Sequence, residues 1–304
     1  MFKVRGFSFA SFIASQLSTF NSQLSTFNFQ LNMIDTHCHI DDPQYAENLD
    51  VFLQEQRRDG VEAILVPGVE AATTQDVLDV CAKYPGYLYP ALGLHPENVK
   101  EDWREQIAII KAALDKYLDS TSETSKTSKT LSTTNYQLVA IGEIGLDYHW
   151  DTTFKQEQHE ALREQMRWAE EYQLPVMIHS REATEDTLAI LREFPSVRGV
   201  MHCFSGSHEV AKQVVQMGYY LGIGGVLTFK NCKLAEHLVG IPLESLVLET
   251  DAPYMAPVPY RGKRNESRWM IYVAERLAQV YGCSVEYVIE QTTANAKALF
   301  GINL

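Results

Sequence analysis

Cysteine is scarce in this 304-residue chain, with five in all and no CxxC pair. An odd number at unpaired spacings argues against a disulfide framework and a zinc knuckle, and fits a reducing compartment such as the cytoplasm. No run of about 18 apolar residues exists, so no membrane span is expected. Positive charge is also short: 26 Lys and Arg face 39 Asp and Glu, a formal net charge of −13. Such a field does not hold nucleic acid or anionic membrane by itself, so a phosphate-bearing substrate must be drawn by a local site. Apolar material is plentiful at 45%, enough for one large core, whether a single α/β barrel or two smaller domains.

Two stretches lack the apolar periodicity of a packed element. Residues 1–32 contain QLSTFNS (16–22) followed by QLSTFNF (23–29), a polar repeat that cannot bury a continuous face. A disordered tail, a targeting segment led by Lys3 and Arg5, and a start-site artefact with the working protein beginning at Met33 all compete. The apolar run at 7–13 is short and broken by serine, which favours the tail or the artefact. The Ser/Thr-rich run near 119–135 reads as a solvated, disordered loop inside one domain spanning 33–304.

From Met33 onward, short β-branched runs alternate with helical patterns. Strands are expected at 33–36, 61–66, 86–92, 137–141, 175–178, 198–201, 219–223 and 245–248. Helices are expected from Thr73 to Lys83, from Trp103 through Leu118, from Phe154 to Tyr172, up to Glu193, after a Ser207 cap, near Leu234, and over 267–281 and 284–299. Eight such βα units point to a (β/α)8 TIM barrel more than to an open doubly wound sheet.

Polar residues repeatedly interrupt the same end of these apolar strands. His37 and His39 end the first, Glu143 the fourth, His179 the fifth, His202 the sixth and Asp251 the eighth. In a barrel the C-terminal strand ends converge on one mouth, so these groups would meet there. Any one of them could be a satisfied core histidine or a turn-forming acid. Together they are harder to explain that way, because each would cost kcal/mol to desolvate unless paired. Strand alternation puts His37 and His39 on one face with Cys38 behind, and separates His202 from Cys203 in the same way. Four imidazoles and two carboxylates exceed the needs of one divalent ion, and Glu143 can bridge two, which points to a two-metal hydrolase.

The runs THCHID (36–41), GLHP (93–96), GEIGLDY (142–148), IHSR (178–181), HCFSG (202–206) and ETDAPY (249–254) resemble, in order, the motifs of the TatD family of metal-dependent deoxyribonucleases. The resemblance spans Met33 to the C-terminus. It implies a barrel with His37, His39, Glu143 and Asp251 around one metal and Glu143, His179 and His202 around the other. Magnesium is the usual cation of that family, with zinc or manganese also accepted by His-rich sites. The implied reaction is hydrolysis of DNA phosphodiesters, often from the 3′ end of single strands. D-aminoacyl-tRNA deacylase and lactonase or phosphotriesterase-like activities remain alternatives on the same barrel. The tail, the Ser/Thr-rich insertion and Ser267, where proline is common, depart from the family pattern.

Under this reading Asp251 orients the water and takes its proton. His95 either donates to a phosphate oxygen or is structural. Arg181 holds the nucleic-acid backbone, with Arg261, Lys263, Arg264 and Arg268 as weaker candidates. Tyr148 and Tyr254 are placed to stack on bases. The expected partner is single-stranded DNA as substrate, with no membrane and no obligate protein partner.

Overall fold

A computed structural model of the chain describes residues 32–122 and 136–303, the side chains of 119–122 aside. Strand and helix alternate throughout, beginning with β1 (Met33–Asp35), α1 (Leu49–Arg58), β2 (Val61–Pro67), α2 (Thr74–Lys83), β3 (Leu88–Leu92) and α3 (Trp103–Ser122). β4 (Ala140–Asp147), α4 (Lys155–Tyr172), β5 (Val176–Arg181), α5 (Thr184–Glu193), β6 (Gly199–Met201) and α6 (His208–Gln216) follow. β7 (Tyr220–Ile223), α7 (Leu234–His237), β8 (Leu246–Leu248), α8 (Met270–Tyr281) and α9 (Val285–Phe300) complete the series. The expected tail and most of the Ser/Thr-rich loop lie outside the described residues. α3 itself runs on to Ser122, past its expected end at Leu118.

All eight strands are parallel and lie in chain order, which rules out the doubly wound alternative, whose order reverses at a switch point. The seam between β1 and β8 closes just beyond their ends. Thr36 donates its N–H (3.1 Å) and its hydroxyl (3.0 Å) to the Leu248 carbonyl, and Asp251 N–H donates to the His37 carbonyl at 2.9 Å.

Strand alternation sends every second residue inward, and one buried cluster joins Ile34, Ala63, Leu65, Ala91, Met177 and Val247 to Phe300 and Ile302 at the end of the chain. Helix ends follow local chemistry. Ser207 Oγ accepts from Val210 N–H at 3.3 Å, the expected cap, and α8 and α9 stop at Gly282 and Gly301, both at φ 65°.

Several strand boundaries differ from expectation: β5 runs on to Arg181, so His179 lies inside it, and the shifts of β1 and β4 also bear on the site. β1 ends at Asp35, so His37, Cys38 and His39 lie on the segment beyond it, where Cys38 forms an isolated parallel bridge with Ala252. β4 begins and ends later than its apolar run, so Glu143 sits inside the strand and Asp147 at its tip. Gly142 and Gly145 break the apolar pattern there and mask the strand. At Gly145 a Cβ would lie 1.9 Å from the His179 carbonyl oxygen, at φ 151°. Gly145→Ala is therefore expected to force β4 off β5, costing about 1–3 kcal/mol and lowering Tm by roughly 3–10 °C. Thermal melts followed by circular dichroism check this, and an unchanged Tm would mean that the strands part without cost.

Candidate metal centre

At the C-terminal end of the barrel, Glu143 is 2% exposed and stands at the centre of the site, with its two oxygens facing different partners. Oε2 is 3.1 Å from His37 Nε2 and 4.0 Å from His39 Nε2. Oε1 is 3.0 Å from His179 Nδ1, 3.4 Å from His95 Nε2 and 3.8 Å from His202 Nε2. Asp251 Oδ1 closes the first side, 3.4 Å from His39 Nε2 and 3.9 Å from His37 Nε2. The structure thus brings His37, His39, Glu143, His179, His202 and Asp251 together, with His95 beside them.

The electrostatics explain why such a cluster needs positive charge. Burial disfavours ionised Glu143, but His37, His95 and His202 around it hold its carboxyl well below the usual range. Burial likewise opposes charge on His202, yet Glu249 and Glu143 push it up to about 10. His179 is raised against its burial to about 9 by hydrogen bonds to Asp147 and Glu143. His37, by contrast, is lowered by burial and by the neighbouring His202, whose ring stacks on it with centroids 3.5 Å apart. His37 Nε2 and His39 Nε2 face each other at 3.3 Å, so a single proton at most fits between them.

Charge on His39, His179 and His202 is thus favoured by the carboxylates beside them. A divalent cation can take the place of those protons on the same lone pairs. Donor atoms of His37, His39 and Asp251, and of His37, Glu143 and His202, each converge within 4.8 Å, so the residues present fit such ions.

Outer residues that the sequence reading did not single out hold the inner ones. Asp147 Oδ2 is 2.8 Å from His179 Nε2, which turns Nδ1 toward Glu143. Glu249 Oε1 accepts from Cys203 N–H at 2.6 Å and lies 3.2 Å from His202 Nδ1. Two buried glutamines of α4 brace these loops. Gln158 bonds both the N–H and the carbonyl of Asp147, and Gln165 does the same for Leu94, next to His95. Asp147 and Glu249 were visible only as acids inside the GLDY and ETDAPY runs.

His95 is distinct from the other imidazoles. Its Nδ1 accepts from Glu97 N–H at 3.2 Å, so in the neutral ring the proton sits on Nε2 and points at the cluster. A ring in that state is a donor, not a ligand.

The expected arrangement of the remaining residues needs correction. Tyr148 does not join the mouth: its hydroxyl sits 2.5 Å from His159 Nε2, donates to Asp186 at 2.8 Å, and its ring lies under Lys155, which ties it to α4 and α5. Tyr254 is 53% exposed, its ring 6.2 Å from that of His39. Arg181 is exposed and lies 5.1 Å from the ring of Trp150, itself 66% exposed above a cleft shared with Asp147 and Lys100. Arg268 is committed to Glu266, Asp59 and Glu55, and Arg264 to the Gln44 carbonyl.

Cys38 is fully buried. Cys203 breaks the parity argument. It lies two residues past the end of β6 at φ 47°, where strand alternation no longer applies, and its sulfur is within 4.8 Å of ligand atoms of His202 and Asp251. Asp251 is also in the left-handed region, at φ 57°. Such backbone costs about 1–3 kcal/mol and collects at functional sites.

A family model described as TatD related DNase matches residues 34–301 of the chain. The chain belongs to the TatD family of metal-dependent hydrolases. This TatD protein is 40% identical over 274 residues to the uncharacterized metal-dependent hydrolase YabD of Bacillus subtilis (strain 168), a match covering 89% of the chain and 100% of the relative. It is 31% identical over 281 residues to human deoxyribonuclease TATDN3, covering 88% of the chain and 94% of the relative. The crystal structure of YjjV, a TatD homolog from Escherichia coli K12, matches it with a TM-score of 0.80 at 31% identity, over 90% of this chain and 100% of that one.

Proposed function

We propose that this TatD protein hydrolyses phosphodiester bonds of DNA, removing nucleotides from the 3′ end of single strands, with two divalent cations (magnesium, manganese or zinc) at the mouth. One observation carries the reading: the two oxygens of Glu143 address two separate sets of imidazoles, as a bridging carboxylate must. His37, His39 and Asp251 would hold one ion, and His179 and His202 the other. The human relative is named a deoxyribonuclease, which supports DNA as the substrate class.

Bound divalent cations supply Lewis acidity, easing deprotonation of water and neutralising charge on phosphoryl oxygens. Asp251 receives the proton of the attacking water, its carboxyl kept ionised against burial by His39 and His202. His95 donates Nε2–H to a phosphoryl oxygen as negative charge builds there. Arg181 contacts the backbone of the strand, and Tyr254 and Trp150 offer faces on which bases stack. A cytoplasmic location agrees with the free state of all five cysteines. Among the described residues no helix is long and apolar enough to cross a membrane.

The full chain incubated with 3′-labelled single-stranded DNA tests the proposal. Shortening from the 3′ end should stop on chelation and return when a divalent cation is restored. Cleavage that continues under chelation would overturn the metal mechanism, and intact DNA with every cation tried would remove DNA as the substrate.

The outer carboxylates give a milder expectation. Glu249→Gln keeps the size of the side chain but removes the charge beside His202 Nδ1, and cation affinity should weaken about 10- to 100-fold. Calorimetric titration with manganese measures it, and an affinity equal to wild type would leave Glu249 with a purely structural role.

A further inference from the structure

The thiol of Cys203 stands at the mouth, and the hydrolytic reading gives it no task. It shares a ligand-sized space with His202 and Asp251. The His202 side chain is only 4% exposed, and its Nε2 stands 3.8 Å from both Glu143 Oε1 and Asp251 Oδ1, beyond hydrogen-bond reach. A ring nitrogen of His202 thus shares, with Asp251, the space that the sulfur borders. The placement of Cys203 is held from behind, because its N–H is tied to the same Glu249 oxygen that backs His202 Nδ1.

Sulfur, nitrogen and carboxylate oxygen together make a donor set that discriminates between cations. Magnesium and manganese favour oxygen donors, whereas zinc and cadmium bind thiolate strongly. We propose that Cys203 is a metal-selective ligand, joining His202 and Asp251 around a thiophilic cation such as zinc and taking no part when magnesium occupies the mouth. As the sulfur–zinc bond forms, the S–H bond breaks and its proton passes to solvent, with no change of oxidation state. His202 and Asp251, which hold different ions in the two-cation arrangement, would then share this one, so a zinc-loaded chain would use a donor set distinct from the magnesium-loaded one. The inference rests on the metal reading of the mouth and is independent of the DNA substrate.

X-ray absorption at the zinc edge on the zinc-loaded full chain tests it. Wild type should show a sulfur shell at about 2.3 Å, and both Cys203→Ser and Cys203→Ala should lack it. Zinc affinity should fall by about tenfold or more in both variants, while unchanged magnesium affinity reports that they are folded. Zinc held by nitrogen and oxygen alone in wild type, or a sulfur shell that persists in both variants, overturns the proposal. A wild-type chain that retains no zinc and no magnesium would overturn the metal reading itself.

Discussion

Replacing Glu143 by alanine should abolish hydrolysis while leaving the barrel folded, with kcat/KM down by at least about a thousandfold, or roughly 4 kcal/mol of transition-state stabilisation. The size of the effect follows from position: Glu143 is the carboxylate facing both groups of imidazoles, at 3.1 Å on one side and 3.0 Å on the other. Removing it leaves the two halves of the site without a shared ligand. The fold should survive because the β4 ladder runs through the backbone, and because imidazoles deprived of their counter-charge can release their protons. Metal content per chain, cleavage of labelled DNA and far-ultraviolet circular dichroism on one preparation separate these effects. Full activity in a folded Glu143→Ala protein would sink the bridging role.

Asp251→Asn is the second large effect. The amide keeps the shape of the side chain and tolerates the left-handed backbone that Asp251 adopts at φ 57°. It cannot accept the water's proton as a carboxylate does, so kcat should fall by about 10²–10⁴ with KM little changed. Steady-state kinetics on a single-stranded oligonucleotide measure both constants. A drop below about tenfold in kcat would be too small for a general base and would move that role to another residue.

Much of this site was legible because histidine and acid are conspicuous where they end apolar strands. His37, His39, Glu143, His179, His202 and Asp251 could be gathered from one sequence once eight βα units had been counted. Their supports could not. Gln165 bonds the backbone of Leu94, 71 positions away, and in sequence it is an unremarked polar residue on an amphipathic helix. Asp147 was hidden by the misplaced end of β4, since the glycines that let the strand approach His179 also erase its hydrophobic pattern. Cys203 was misread because alternation governs only paired strand and the residue lies two positions past the end of β6, whereas Tyr148, expected in a loop at the mouth, is drawn away by His159 and Asp186.

The closure of the barrel carries a consequence for folding. The seam between the first and last strands is made by Thr36, His37 and Asp251, and two of these are proposed ligands. A cation held by His37, His39 and Asp251 would act as a clasp between the first strand and the last, closing the long loop of chain that carries the other six strands. Because the unfolded chain lacks that preformed grip, occupancy would favour the closed form by mass action. The same ion that serves the reaction would then fasten the scaffold that positions it.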